Sequence, residues 1–391
     1  AVCILLSCGA EYRGHRLVAG PLINRVWGKG MHLSKKRRLV ASILVLLIAG
    51  AGFFLVLCIN AWRMPTRQTV ATLDRRPTID RDVVAERLVT FLEPLTVADR
   101  DAEQIESAPF EQLHQLFERS FPRVHETLAR ERLGNPELSL LFKWEGSEPA
   151  LPAVLLMSHL DVVPIDPVTR ELWKNKPPEQ PEFDGTHIWG RGALDIKSGA
   201  AGMLEAVELL LAEGFVPKRT VYLAMGHDEE VGGKNGNRVI AQTLKQRGVR
   251  LQFVVDEGGA ILDGVIGGVG KPVAFVAVAE KGGALMSITA HGSGGHGSMQ
   301  SDQSAISRLA RALRQIDHNP QPADLDQGTN LLLEFLGPEM PWISRLVVAN
   351  RWCFEPLIVS NFASSPTTNA IIRSTTSFTG LEAGFVTNGV P

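Results

Sequence analysis

The chain mixes apolar and polar positions almost everywhere except in one stretch. From Leu39 to Ile59 it reads LVASILVLLIAGAGFFLVLCI, 21 residues in which Ser42 is the one clearly polar position. A helix needs about 20 apolar residues to cross the hydrocarbon core of a bilayer. Lys35-Lys36-Arg37-Arg38 precedes the run, and the basic residues beyond it, Arg63 and Arg67, are sparser. The positive-inside bias therefore predicts a cytoplasmic N-terminus and an extracytoplasmic remainder. A cleaved signal peptide has a shorter apolar region of about 7–15 residues that ends in small residues. The longer run, with no Ala-x-Ala after it, predicts an uncleaved anchor. Residues 1–30 precede Met31 and the basic cluster, and are read as an upstream segment outside the native fold.

After the anchor the periodicity changes several times. Residues 62–80 have the texture of a linker. Asp80 is placed to cap a helix running through Leu92, with Val83, Val84, Leu88 and Phe91 on one face. A second helix is predicted over Phe110–Phe121. Short apolar runs at 153–157, 221–225 and 253–255 read as strands. Helical stretches at 200–212 and 239–246 separate them. Strands alternating with helices predict βαβ units and a largely parallel sheet. Beyond Gly282 the texture shifts to a smaller α+β region. There a strand is expected at Ala284–His291, and a helix carrying Ile306, Leu309, Ala310 and Leu313, capped by Ser301 or Asp302, ends before Asn319-Pro320. The expected organisation is an N-terminal cytoplasmic segment (1–38), a transmembrane helix (39–61), a linker (62–80), a metal-binding catalytic domain (81–282) and a lid or dimerisation domain (283–391).

Composition narrows the function classes. Forty Lys and Arg against 42 Asp and Glu leave a net charge of −2 over 391 residues, without the basic face that nucleic acid requires. With 45% hydrophobic residues the chain is too apolar for a disordered solvating segment. Cysteine occurs at positions 3, 8, 58 and 353. That excludes a disulfide scaffold, and with no Cys-x-x-Cys a thiolate zinc site is not expected.

The chemistry lies in the residues that come directly after each apolar run. The first run leads into Ser158-His159-Leu160-Asp161 and the second into Gly226-His227-Asp228-Glu229-Glu230-Val231-Gly232-Gly233. The third leads into Asp256-Glu257-Gly258-Gly259. A further acid, Asp195, lies in Gly190-Arg191-Gly192-Ala193-Leu194-Asp195, just ahead of a helix. In open α/β sheets ligands bind beyond the carboxyl ends of the strands, where these four segments would converge. So many carboxylates together call for cations. Carboxylate with imidazole suits zinc, manganese or cobalt, and two such ions about 3.5–4 Å apart form a hydrolytic clamp.

These four motifs, in this order, resemble the dinuclear-zinc metallopeptidases that include aminoacylase, carboxypeptidase G and carboxypeptidase S. The look is closest to the carboxypeptidase S-like branch, and the likeness runs from about residue 80 to the end. The resemblance implies an α/β catalytic domain, a mostly parallel sheet sandwiched by helices, with an inserted smaller α+β lid. It implies that His159 and Asp256 ligate one zinc, that Asp195 bridges both ions and that Glu230 ligates the second. Glu229 would be the general base, and Asp161 would orient His159. Two Zn2+ are implied, with Co2+ or Mn2+ as substitutes. In the lid, Gly294-Gly295-His296 resembles a motif whose His polarises the scissile carbonyl, commonly from a partner subunit. Thr368-Asn369-Ala370-Ile371-Ile372-Arg373 resembles a segment whose Asn and Arg hold the substrate carboxylate, a bidentate pairing that suits Arg.

The sequence also departs from that pattern. Gly297-Ser298-Met299-Gln300 follows His296 in place of Ser-Ser-x-Pro, and Ile196 replaces a common Asp. The chain stops at Pro391, within the expected lid, before the last His that the family supplies to the second metal. The expected function is hydrolysis of an amide next to a free carboxylate, in a peptide or an N-acyl amino acid. The enzyme would be membrane-tethered in a periplasm, vacuole lumen or extracellular space, with a homodimer through the lid and no nucleic-acid partner. The missing His motivates a second reading, a catalytically inert membrane-tethered binding protein. A carboxylate-bridged phosphoesterase is a third, which would leave His296 and Arg373 without a role.

Overall fold

The computed structural model describes residues 35–69, 78–173, 176–264, 269–299, 304–384 and 389–390. Most of the N-terminal segment, the middle of the linker and the expected caps Ser301 and Asp302 lie outside the described residues. By its internal contacts the chain divides into two units, 69–280 and a second made of 1–68 with 281–391.

In the first unit a five-stranded sheet is built from β1 (Ala129–Leu133), β2 (Ser139–Trp144), β3 (Ala153–His159), β6 (Val221–Gly226) and β7 (Leu251–Val255). The order across the sheet is β1-β2-β6-β3-β7. The remaining strands are two short pairs, β4 (Glu182–Phe183) with β5 (Ile188–Trp189) and β8 (Ala260–Leu262) with β9 (Val273–Phe275). β3 pairs in parallel with both β6 and β7, and β2 runs antiparallel to its neighbours β1 and β6. Four strands thus share one direction and β2 alone opposes them, which matches the expected mostly parallel sheet.

Alternation along the strands divides the core between the two faces. Leu140, Phe142, Leu223 and Met225 point to one side and pack with Ala200, Ala201, Leu204 and Val207 of helix α5 (Lys197–Ala212). The same cluster takes Phe91 of α2 (Arg81–Leu92), Phe110, Leu113 and Phe117 of α3 (Ser107–Ser120) and Val124 of α4 (Pro122–Thr127). Leu141, Tyr222 and Ala224 point to the other side, against Ile240 and Leu244 of α6 (Asn237–Gln246). Helices therefore cover both faces. α5 connects β3 to β6 on one side of β3, and α6 connects β6 to β7 on its other side. The chain reverses its winding at β3, and a crevice at the carboxyl end of such a strand is where α/β sheets bind ligands.

Local chemistry fixes the helix ends as the sequence predicts. Asp80 accepts the N–H groups of Asp82 and Val83, both at 3.2 Å, the expected cap of α2. The other end of α2 is held by a residue the sequence reading passed over. Lys197 is fully buried, and its Nζ donates to the carbonyls of Phe91 (3.1 Å) and Pro94 (2.5 Å). It thereby satisfies acceptors that a helix C-terminus leaves open.

The second unit is mostly helical, with one short antiparallel strand pair, Gly295–His296 with Gly389–Val390. It contains α1 (Lys35–Arg63), α7 (Ala305–His318), α8 (Gln327–Leu336), α9 (Trp342–Ala349), α10 (Arg351–Ala363) and α11 (Pro366–Ile371). α1 is long and apolar enough to cross a membrane. Leu333, Val348 and Ile358 form a small core with Met64, Met340 and Phe362. α7 is capped by Ser304, whose Oγ accepts the Ser307 N–H at 3.2 Å. The strand expected at Ala284–His291 does not form, and Leu285 and Met286 there are exposed. Apolar residues make a strand only when a neighbouring edge supplies ladder hydrogen bonds, and none does so here among the described residues.

Candidate metal centre

The three parallel strands β3, β6 and β7 deliver their following residues to one edge of the sheet. His159 ends β3 and is 2% exposed. Its Nε2 lies 3.1 Å from Asp195 Oδ1, 3.4 Å from Glu257 Oε2 and 3.9 Å from Glu229 Oε2. One atom each from His159, Asp195 and Glu257 falls within 4.8 Å of the others. Asp195 comes from the turn before α5 and is well exposed. Glu230 is half-buried beside Glu229.

Asp256, the expected partner of His159 in binding metal, does not join that group. It is exposed and accepts the N–H of Glu257 at 2.9 Å, while its neighbour Glu257 turns inward. Past Val255 the strand alternation ends and Gly258 takes a φ of +103°. Which of two consecutive acids faces the cluster is therefore set by loop geometry.

Asp161 is fully buried and does more than orient His159. The imidazole Nδ1 lies 3.0 Å from the Asp161 main-chain carbonyl and 3.4 Å from its Oδ1. The two carboxylate oxygens meanwhile accept the backbone N–H groups of Glu229 (3.1 Å) and Glu230 (3.0 Å). One side chain thus joins the strand that carries His159 to the turn that carries the paired glutamates. Asp228 fixes the far side of that loop, accepting the N–H groups of Asn235 (2.5 Å), Gly236 (3.0 Å) and Asn237 (3.3 Å). His227 is turned away from the cluster, buried with Nδ1 2.7 Å from Ser139 Oγ and its ring edge-on to Phe110.

The electrostatics reflect this crowding. Burial opposes charge on His159, but the hydrogen bond and charge of Asp161, joined by Glu257, outweigh it and raise its pKa to about 9. Burial pushes the carboxyls of Glu229, Glu230 and Glu257 above their ordinary range. Neighbouring carboxylates, Asp195 foremost for Glu230 and Glu257, add to that rise, and His159 counters it. An imidazole and several converging, mutually repelling carboxylates are a donor set that suits a borderline or hard divalent cation.

The remaining expected site residues lie in the second unit. His296 is exposed, with Nδ1 2.8 Å from Ser298 Oγ. Asn369 is half-buried in α11. Arg373 donates from Nη1 to the Gln321 carbonyl at 3.2 Å, and its Nε is buried without a hydrogen bond.

The chain is 33% identical over 372 residues to the N-fatty-acyl-amino acid synthase/hydrolase PM20D1 of Xenopus tropicalis, an alignment covering 92% of this chain and 71% of that protein. It is 34% identical over 350 residues to the probable carboxypeptidase S-like 2 of Dictyostelium discoideum, covering 87% and 66%. It is 40% identical over 272 residues to human PM20D1, covering 69% and 53%. The chain therefore spans about half to seven-tenths of these relatives' lengths. The sequence model of Peptidase family M20/M25/M40 matches residues 155–380, more than half of the chain and the segment that holds His159, Asp195, Glu229, Glu230 and Asp256. On these grounds the chain belongs to peptidase family M20/M25/M40, a family of metal-dependent hydrolases.

Proposed function

We propose that the chain is the metal-binding part of a hydrolase for amide bonds next to a free carboxylate. It would release a C-terminal amino acid, as a carboxypeptidase does, or deacylate an N-acyl amino acid. The observation that carries this reading is the group of His159, Asp195 and Glu257 with Glu229 alongside, 3.9 Å from the same imidazole nitrogen. The names of the relatives, carboxypeptidase S-like protein and N-fatty-acyl-amino acid hydrolase, support the same two substrate classes.

His159, Asp195, Glu230 and the Asp256-Glu257 pair would hold two zinc ions, with cobalt or manganese as substitutes and Asp195 shared between them. Bound there, zinc supplies positive charge that acidifies water and polarises a carbonyl. Glu229 takes the proton of the attacking water and delivers it to the leaving nitrogen. A carboxyl raised above its ordinary range is better matched to that transfer near neutrality. Asp161 holds Glu229 in place through the backbone. Arg373 pairs with the substrate carboxylate as a fork, Asn369 assists it, and His296 polarises the scissile carbonyl, supplied across a homodimer formed through the second unit. The N-terminus is cytoplasmic and the chain beyond α1 lies outside, as the flanking charges indicate.

The test is Glu229→Gln in metal-loaded protein, assayed on N-acyl amino acids and blocked dipeptides with and without a free carboxylate. Turnover falls by about 10²–10⁴ with metal content unchanged, and amidated substrates are refused. Turnover at the wild-type rate in Glu229→Gln would refute the assigned base.

A further inference from the structure

We propose that helices α9 and α10 form a second membrane contact, a helical hairpin dipping into the same leaflet from which α1 emerges. This rests on the reading of α1 as a membrane-spanning helix.

The argument comes from the level at which each residue of the hairpin meets α1. Arg345, early in α9, donates from Nε to the carbonyl of Ala61 (2.7 Å) and from Nη2 to that of Met64 (2.7 Å). It caps the carbonyls that the end of α1 leaves open. Asn350, between α9 and α10, is fully buried. Its Nδ2 donates to the carbonyl of Leu57 (3.0 Å) and its Oδ1 accepts from Asn60 Nδ2 (2.8 Å). Trp352, at the start of α10, packs edge-on to Phe53 with ring centroids 5.9 Å apart. From Arg345 to Trp352 the hairpin therefore descends along α1 from Met64 to Phe53.

Phe53 lies inside the apolar run that ends at Ile59. At 1.5 Å per residue, six residues place it about 9 Å before the end of the run. A bilayer that takes Leu39–Ile59 into its hydrocarbon core must then take Trp352 to about the same depth. The hairpin is built for that environment. Backbone and side-chain polar groups have to be satisfied internally at membrane depth, and the Asn350 side chain spends its amide on α1 and on the Leu346 carbonyl (2.8 Å). At the tip Trp352 is apolar and 64% exposed, and Arg351 beside it donates to Asn330 Oδ1 and pairs with Glu334 at 3.7 Å. Arg345 sits at the exit end, where a cation meets headgroups. Trp342 and Ile343, exposed at the start of α9, fall above the Ala61–Met64 level, in the interfacial zone that Trp favours.

The experiment uses the full chain in nanodiscs of phosphatidylcholine whose acyl chains are brominated near mid-chain, with unbrominated nanodiscs as reference. Bromine quenches only tryptophan that touches lipid at its depth, and the chain has seven tryptophans. The expected result is quenching in the wild type that is mostly lost in Trp352→Phe. In the same nanodiscs Cys353, exposed beside Trp352, should react with a charged maleimide at least tenfold more slowly than in denaturing detergent, with Cys353→Ser as the blank. This second readout needs no change at Trp352 and decides the matter if that variant misfolds. Equal quenching in wild type and Trp352→Phe, or fast labelling of Cys353, in protein that carbonate fails to extract from membranes overturns the hairpin contact and leaves the anchor standing. Extraction of the wild type by carbonate overturns the anchor, and the hairpin contact with it.

Discussion

Asp161→Asn isolates the bond between the two halves of the candidate site. The substitution keeps the shape of the side chain and removes its charge. One amide oxygen can still accept the N–H of Glu229 or of Glu230, now at 3.1 and 3.0 Å, but the amide NH2 then meets the other N–H donor to donor. A hydrogen bond to a charged group contributes about 1.5–3 kcal/mol, and Asp161 is fully buried, so solvent does not replace what is lost. The expected cost is about 2–3 kcal/mol. In a unit of this size about 1 kcal/mol moves Tm by 2–4 °C, so Tm should fall by about 4–12 °C. The turn that carries Glu229 and Glu230 loses a fixed point, and replacing such an outer partner of a metal ligand typically weakens metal binding by about 10–100-fold. Thermal unfolding followed by circular dichroism, with metal titration by calorimetry, measures both. A variant that melts within about 1 °C of the wild type and binds metal equally well would show that Asp161 bridges nothing of consequence.

Two further outcomes concern the first unit. Burial, with the charge of Arg132, lowers the pKa of His114 to about 4, below the unfolded value of about 6.5. The unfolded chain therefore binds more protons in that window, and stability present above pH 6.5 is lost as pH falls toward 4. Between pH 7 and pH 5 the wild type should lose about 2 kcal/mol more than His114→Leu in urea unfolding, and parallel losses would refute the assignment. A Cβ on Gly236 would stand 2.5 Å from Asp228 Oδ1, 2.6 Å from Ser139 Oγ and 2.8 Å from His227 Nδ1, atoms already tied by hydrogen bonds. Gly236→Ala should thus cost about 1–3 kcal/mol in chemical unfolding. Gly202→Ala in α5, with nothing within 4 Å, should gain about 0.5–1 kcal/mol, and equal effects at the two sites would sink the argument.

The elements that could be read from the sequence are those whose signal is local. The runs at 153–157 and 221–225 are apolar on both faces because helices cover both faces of the sheet, and α2 announces its start through an Asp oxygen that reaches its own first turn. Pairing is not local, and there the reading failed. Ala284–His291 alternates as a strand should and finds no edge. Ala129-Arg130-Glu131-Arg132-Leu133 carries no apolar run, and it is the outer strand of the sheet, largely exposed. The hairpin of α9 and α10 escaped for a related reason. Its polar residues Arg345 and Asn350 would mark a surface loop, and their partners are carbonyls about 290 residues earlier in the chain.

The candidate site divides along the same line. That His159, Asp195 and the Glu229-Glu230 pair would meet is implied by acids placed after buried strands that run in parallel. The sequence could not show which atoms bind them together. Thr96, far from any motif, donates to the Leu160 carbonyl at 2.5 Å and accepts the Val162 N–H at 3.0 Å, and Gly226 accepts the Leu160 N–H at 2.7 Å. With Asp161 reaching Glu229 and Glu230, the segment after β3 is held from three sides, by the loop after α2, by the end of β6 and by the turn beyond it. His-x-Asp is thus the hub on which three separate stretches of chain converge. That explains why the spacing of His159 and Asp161 is tight, while Asp195 and the Asp256-Glu257 pair sit on loops whose geometry chooses which atom faces the cluster. The rigid half of the candidate site is set by backbone hydrogen bonds to the hub, and the other half by carboxylates carried on loops.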